Sequence, residues 1–136
     1  MGCIFCAIVE GKVPAEVVFE DEETLAFMDI YPASPGHTLV VPKKHVPNIY
    51  SLDDETGAAV MRTTVRVARA VRAALQPDGV SLLQTNEPAG GQSVFHFHIH
   101  VIPRWHGDGL HLTRRLGTGS PRPLHEVAAQ IRGQWE

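Results

Sequence analysis

The segment Phe95-His96-Phe97-His98-Ile99-His100-Val101-Ile102 alternates between apolar and histidine side chains. Successive side chains of a β-strand point to opposite faces, so the alternation predicts a strand over residues 95–102 with one buried face. Same-face neighbours lie about 6.6 Å apart, so adjacent histidines can share a phosphate or an ion, whereas the outer pair, about 13 Å apart, can hardly meet on one. We expect the three imidazoles to line one surface and to have different tasks.

The glycine-containing residues before the histidine segment help to decide whether the histidines bind a ligand. A single histidine on a strand is usually an ordinary half-buried side chain, and even the triplet could simply face water. However, Gly90-Gly91-Gln92-Ser93 immediately precedes it, and glycines permit backbone amides to converge on an anion. The combination favours a surface that binds or attacks a phosphate.

Other short β-prone runs are bounded by turn residues. They cover residues 17–20, 25–29, 38–41 and 80–84. The acidic cluster Asp21-Glu22-Glu23 between the first two fits a hairpin, and Pro42 closes the third because it lacks a backbone donor. These runs and the histidine segment together predict a sheet of about five strands.

One long helix is predicted between the third and fourth runs. Ser51-Leu52-Asp53-Asp54-Glu55 supplies an N-cap and first-turn acids, apolar residues recur at helical spacing up to Leu75, and Gln76-Pro77-Asp78-Gly79 ends the helix. The other side carries basic residues that could bind phosphate, although a solvated face is the commoner reading. These are Arg62, Arg66, Arg69 and Arg72.

The length, composition and charge of the chain limit the classes of protein to which it can belong. The 136 residues, 43% of them apolar, suit one compact domain over 1–136, and the net charge of -3 offers no basic stripe for nucleic acid. No apolar window is long enough for a membrane span, and the N-terminus lacks a signal-peptide pattern, which favours a cytoplasmic location. In a reducing compartment, Cys3 and Cys6 indicate a metal or redox pair, and the spacing alone does not decide between them.

The stretch from Gly91 to Ile102 resembles the signature of the histidine triad family, His-x-His-x-His followed by two apolar residues. Residues 25–30 and 35–45 resemble the N-terminal half of the family in order and spacing. The resemblance covers about residues 3–104 and leaves a C-terminal tail, 105–136, in which we expect a loop and a short helix over 124–131. It implies an α+β, HIT-like fold: an antiparallel sheet of about five strands, one long helix and a short N-terminal helix. Small members of the family generally form homodimers.

The resemblance also implies a catalytic arrangement. His98, the middle histidine, would be the nucleophile that attacks the α-phosphorus. His100, Gln92, Ser93 and backbone amides near Gly91 would donate hydrogen bonds to the phosphate, and His100 or Ser93 would assist the leaving group. His37 would support the histidines from behind, although on sequence alone it could equally be an ordinary strand-edge residue.

A nucleoside pocket follows from the same matching. The apolar residues around the base would be Ile4, Phe5, Ile8, Phe27 and Ile30. The carboxylate of Asp29 would accept the ribose hydroxyls, and Asn86 would lie near the ribose or phosphate. Without the resemblance to the family, these apolar residues would be assigned to the hydrophobic core.

The family further implies a metal site. Many microbial members hold a metal with two cysteines and two histidines, here Cys3, Cys6, His45 and His96. Two thiolates and two imidazoles suit tetrahedral zinc with no open position, which is a structural site and leaves catalysis without a cofactor. The alternative is two ordinary thiols beside the pocket.

The expected function is hydrolysis of purine nucleoside phosphoramidates, such as adenosine monophosphoramidate, through a nucleotidyl-histidine intermediate. Gln92-Ser93 resembles the branch that handles them, and His100 argues against the uridylyltransferase branch, which has glutamine there. The alternatives are a dinucleoside polyphosphate hydrolase (Ap4A- or Ap3A-like), a nucleotide-binding adaptor with little turnover, and a hydrolase with a catalytic metal held by the triad.

Overall fold

Residues 2–112 and 124–134 are described in a computed structural model of the chain. The elements, in chain order, are α1 (Ile4–Val9), β1 (Val17–Glu20), β2 (Thr24–Met28), β3 (Thr38–Pro42), α2 (Asp54–Leu75), β4 (Gly79–Leu83), β5 (Ile99–Arg104) and α3 (Leu124–Gly133). The first four strands lie within one residue of their predicted positions. The predicted terminal helix is present as α3, while residues 113–123, 135 and 136, including Trp135, lie outside the described residues.

The five strands form one sheet in the order β1-β2-β3-β5-β4, and every neighbouring pair is antiparallel. Strand β5 therefore lies between β3 and the edge strand β4. The predicted α+β fold, with its five-stranded antiparallel sheet, long helix and short N-terminal helix, is confirmed. No helix among the described residues is both long and apolar enough to cross a membrane.

Strands β2 and β3 are buried on both faces because their apolar side chains alternate between two cores. Ala26 and Val40 pack with Val60 and Val67 of α2 on one face. On the other face a second core lies beside α1 and contains Phe5, Leu25, Phe27, Leu39 and Val41. Fully burying a Val or Phe side chain contributes about 1.5–3 kcal/mol, so both layers stabilise the sheet.

The ends of α2 are set by local hydrogen bonds. Asp53 is the N-cap, and its carboxylate accepts from the backbone N–H of Thr56 at 2.7 Å. Ser51, the first residue of the predicted cap, instead lies in a 3-10 turn, Ile49–Ser51. At the other end, Gln76 follows the last helical residue and caps the helix, and its φ of 51° puts it in the left-handed region.

The predicted strand over 95–102 is wrong for its first four residues, because β5 begins at Ile99. Residues 95–98 make other hydrogen bonds: the N–H of Phe97 donates to the Val46 carbonyl, and the ring of His98 bonds the His96 carbonyl. Phe95 is 43% exposed while His96 is fully buried, the reverse of a buried apolar face. The three histidines consequently do not share one surface.

Candidate active site

The triad histidines divide between two clusters. His98 and His100 line a cleft beside α1, and their ring centroids are 4.9 Å apart. The Nδ1 of His96 instead lies among Cys3, Cys6 and His45. The expectation that the three have different tasks therefore agrees with their placement.

The hydrogen bonds of His98 determine which ring nitrogen carries its proton. Nδ1 lies 2.7 Å from the carbonyl oxygen of His96, and because a carbonyl only accepts, Nδ1 is the donor. In the neutral ring, Nε2 then has a free lone pair. His98 therefore presents a nucleophilic nitrogen.

His37 lies directly behind His100. Its Nε2 is 2.9 Å from Nδ1 of His100 and 3.5 Å from a carboxylate oxygen of Asp29. His37 is 5% exposed and does not line the cleft, whereas both of these neighbours do.

Burial keeps these rings neutral at neutral pH. Removal from water lowers the pKa of His37, His96 and His98 below the ordinary histidine value. Burial, together with the nearby His98 and His37, lowers the pKa of His100 to about 4. An uncharged imidazole is the form that can act as a nucleophile.

The cleft has a volume of about 420 Å³, within the range of small-molecule sites. The residues with predicted roles that line it are Ile4, Phe5, Ile8, Phe27, Asp29, Ile30, Ser93, His98 and His100. Lining residues that the sequence analysis missed are Val13, Pro14, Ala15, Met28, Tyr31, Leu39 and Val94. Leu39 could have been found from the hairpin register, since it pairs with Phe27, whereas residues 13–15 connect α1 to β1 and carry no signal of their own.

Phe5 connects the cleft to the histidines. Its ring meets Phe27 edge-on at 5.4 Å between centroids and His98 at 5.1 Å. It also lies 6.0 Å from the ring of His96. The position of α1 therefore sets both the apolar wall and the surroundings of His98.

Two predicted polar ligands lie outside this cleft lining. The amide nitrogen of Gln92 donates to the carbonyls of Pro47 and Val94, and its oxygen accepts from the N–H of Glu87. Asn86 bonds Gln84 and accepts from the N–H of Ile49. Both N–H donors of the Gln92 amide are therefore used within the loops, whereas the amide nitrogen of Asn86 donates to Gln84 and its side chain lies outside the cleft lining.

The backbone amides near Gly91 are also partly committed. The N–H of Gly91 donates to Pro88, and the N–H of Gln92 donates to Glu87. The N–H groups of Ser93 and Val94, by contrast, have no acceptor within residues 2–112 and 124–134, and both residues line the cleft. The backbone N–H groups available to an anion are therefore those of Ser93 and Val94, two and three residues after the predicted Gly91.

The predicted metal ligands Cys3, Cys6, His45 and His96 come together, with their ligand atoms within 4.8 Å of one another. Nδ1 of His96 lies 3.4 Å from Sγ of Cys3 and 3.5 Å from Sγ of Cys6, and Nδ1 of His45 lies 3.3 Å from Sγ of Cys6. The two Nδ1 atoms are 3.3 Å apart. Tetrahedral zinc with ordinary bond lengths requires about 3.6 Å between sulfur and nitrogen and about 3.3 Å between nitrogens. The four side chains therefore fit a closed tetrahedral site.

Protonation at this cluster is consistent with metal binding. Nε2 of His96 lies 2.7 Å from the carbonyl oxygen of Pro42, so it is the donor and Nδ1 keeps its lone pair for a metal. Burial and the adjacent Cys3 raise the pKa of the Cys6 thiol to about 11. A bound cation would reverse that shift by stabilising the thiolate.

The HIT domain family matches residues 10–107 of the chain. The chain belongs to this family. A curated relative from Bacillus subtilis, "Protein hit", is 46% identical over 132 residues, which cover 95% of this chain and 91% of the relative. A crystal structure of a HIT family member from Bacillus subtilis has a TM-score of 0.92 at 37% identity and covers 100% of this chain and 99% of its own.

A zinc-bound histidine triad protein from Mycobacterium smegmatis is also similar to this HIT protein. It is 40% identical with a TM-score of 0.77, and the match covers 98% of this chain and 97% of that one. HIT proteins are a family of nucleotide-binding proteins and nucleotide hydrolases. The cleft and its histidines are therefore the candidate nucleotide site of this member.

Proposed function

We propose that this HIT protein hydrolyses purine nucleoside phosphoramidates, such as adenosine monophosphoramidate, through a covalent intermediate on His98. One observation carries the proposal: Nδ1–H of His98 donates to the His96 carbonyl. The lone pair is therefore on Nε2, which makes Nε2 the nucleophilic atom of a ring that lines the cleft. Family membership supports a nucleotide as the substrate.

In the first step, Nε2 of His98 attacks the α-phosphorus, and the bond from phosphorus to the leaving nitrogen breaks. The amine departs with a proton supplied by Ser93 or by water; His100, the other predicted donor, is uncharged at neutral pH and would instead donate its Nε2–H to the phosphate. The imidazole becomes positively charged as the new bond forms, and the His96 carbonyl stabilises that charge through Nδ1–H at 2.7 Å. In the second step, water attacks the same phosphorus and passes a proton back to the group that protonated the amine. The bond to Nε2 breaks with its electron pair returning to the ring, and a nucleoside monophosphate leaves.

Donors around the phosphate would stabilise the charge on its oxygens. The candidates are the ring N–H of His100, the hydroxyl of Ser93 and the backbone N–H groups of Ser93 and Val94, all from residues that line the cleft. Gln92 holds the loop that carries Ser93, since its amide nitrogen lies 3.0 Å from the Val94 carbonyl oxygen. We therefore assign Gln92 a positioning role and Gly91 a role in the turn.

The nucleoside would lie along α1. Ile4, Phe5, Ile8, Phe27 and Ile30 would form the apolar walls around the base. Asp29 lines the same cleft and would accept the ribose hydroxyls. Asn86 lies outside this lining, so we leave it out of the pocket.

Zinc would be structural in this protein. Cys3, Cys6, His45 and His96 would hold it, as their spacing and the zinc-bound relative support. When bound, it supplies a cross-link between α1 and the segment before β5. A catalytic metal held by the whole triad fits less well, because His96 faces the cysteines while His98 faces the cleft.

We also propose a homodimer, as small HIT proteins generally pair, and a cytoplasmic location, where the cysteine pair stays reduced. Sedimentation equilibrium at micromolar concentration should give twice the chain mass of 14.9 kDa. A fully active monomer would contradict the dimer.

Steady-state kinetics with two substrates test the proposed reaction. We expect kcat/KM for adenosine monophosphoramidate to exceed that for diadenosine tetraphosphate at least about tenfold, a difference of 1.4 kcal/mol in transition-state stabilisation. The reverse preference would indicate the dinucleoside polyphosphate hydrolase. Tight AMP binding with no turnover of either substrate would indicate an adaptor.

A further inference from the structure

We propose that Ser34 is a positioning residue: with the backbone N–H of Ala33, it fixes the tautomers of His37 and His100, so that His100 presents an N–H to the phosphate. The inference rests on the proposed function for the identity of the ligand. The tautomers themselves can be measured in the protein without substrate.

The loop before β3 is anchored by Ser34. Its hydroxyl donates to the carbonyl of Pro103 in β5 at 2.7 Å, and the residue is 8% exposed. The Ser34 carbonyl in turn accepts from the N–H of His37 at 3.1 Å. The loop is therefore attached both to β5 and to the histidine that follows it.

A second contact holds the same loop from the side of α2. Gly36 has a φ of +92°, and a Cβ at this position would overlap a methyl carbon of Leu75. Glycine thus permits both the backbone turn and the close approach of Leu75. This packing places the loop against Leu75, at the end of α2, next to His37 in the chain.

The anchored loop determines the protonation of His37. The N–H of Ala33 points at Nδ1 of His37, with 2.9 Å between the nitrogens. A backbone N–H only donates, so Nδ1 must accept, and the proton of the neutral ring is on Nε2.

The hydrogen bond from His37 fixes the tautomer of His100 in the same way. Nε2–H of His37 donates to Nδ1 of His100 at 2.9 Å, so the proton of neutral His100 is on its own Nε2. His100 lines the cleft, and Nδ1 is already occupied by His37. The N–H available to a ligand is therefore Nε2–H.

The tautomer matters for the proposed chemistry. An N–H directed at a phosphoryl oxygen stabilises the charge that develops there, whereas the other tautomer would bring a lone pair towards an anion. Because the protons are placed before substrate binds, no rearrangement is needed during the reaction. Ser34 contributes without touching the substrate.

The test compares Ser34→Ala with a matched control, Thr64→Val. Thr64 is fully buried, and its hydroxyl also bonds a carbonyl, that of Val60 at 2.8 Å, but it lies in α2. Nitrogen-15 NMR of the histidine rings gives the tautomers, and steady-state kinetics give kcat and KM. If Ser34→Ala does not fold, Ser34→Thr, which keeps the hydroxyl, takes its place and should retain the wild-type tautomers.

We expect Nε2–H on both His37 and His100 in the wild type and in Thr64→Val. In Ser34→Ala we expect mixed tautomers of both rings. We also expect kcat to fall roughly tenfold or more and KM to change less than about threefold, because loss of a hydrogen-bond donor to the transition state typically lowers kcat by a factor of about 10²–10³. Wild-type His37 protonated on Nδ1, or Ser34→Ala with unchanged tautomers and kcat, would overturn the proposal. If no phosphoramidate is hydrolysed, the proposed function fails and the NMR result still decides the tautomer.

Discussion

The carbonyl oxygen of His96 lies 2.7 Å from Nδ1 of His98, while the side chain of His96 points into the cysteine cluster. One residue thus joins the candidate metal site to the candidate nucleophile. Its ring holds the N-terminal segment, and its main chain orients the next histidine. Under the proposed function, a metal held by the cysteine cluster would therefore support the orientation of His98 without lining the cleft.

Asp29 should distinguish ribose from sugars without hydroxyls. A hydrogen bond to a charged group contributes about 1.5–3 kcal/mol, so we expect AMP to bind roughly tenfold more tightly than 2′,3′-dideoxy-AMP. Asp29→Asn should reduce this ratio to about threefold or less. Calorimetric titration of both ligands measures it, with Glu22→Gln, a change at an exposed carboxylate in the β1–β2 turn, as the control. An unchanged ratio in Asp29→Asn would remove Asp29 from the ribose site.

Removal of zinc should lower stability. At free zinc 100 times its Kd, binding contributes about 2.7 kcal/mol, so chelation should lower Tm by roughly 10 °C. Cys6→Ser should have the lower Tm already and should not respond to chelator. Differential scanning calorimetry with metal analysis measures both effects. Loss of activity at an unchanged Tm would instead indicate a catalytic metal.

Stability should fall in mild acid because the folded state resists protonation of His100. Its folded pKa of about 4 lies below the ordinary value of 6.5, so between these values the unfolded chain binds more protons. This contribution is complete above pH 6.5 and is lost as the pH falls towards 4. The urea midpoint should therefore drop from pH 7.5 to pH 5, with chelator present throughout, and the drop should be smaller in His100→Gln. His106→Gln, at an exposed loop residue, should behave like the wild type; an equal drop in all three proteins would show that His100 is not responsible.

Sequence patterns predicted most of the fold because the strands and the long helix are set by local signals. β2 and β3 follow from short apolar runs, and α2 follows from its cap and apolar spacing. The prediction for the histidine segment was partly wrong. The segment has the alternation of a strand, but the N–H of Phe97 donates to the carbonyl of Val46, which is distant in sequence. A hydrogen bond between distant residues leaves no mark in a local pattern.

The same limit applies to the candidate site. The resemblance to the family predicted His98, His100 and Asp29 for one site, and the three residues line the same cleft. It did not show that Gln92 bonds the Pro47 and Val94 carbonyls, nor that Ser34 anchors the loop before His37. Those roles depend on carbonyls that only the folded chain places nearby.

The central claim is covalent nucleotidyl transfer to His98, and rapid quenching with intact-mass analysis tests it most directly. Wild-type protein mixed with adenosine monophosphoramidate should show a transient mass increase of one adenylyl group, located on His98 by peptide mapping. His98→Ala should show neither the adduct nor turnover, while retaining its fold and binding AMP. A His98→Ala protein that still turns over, or an adduct on another residue, would contradict the account.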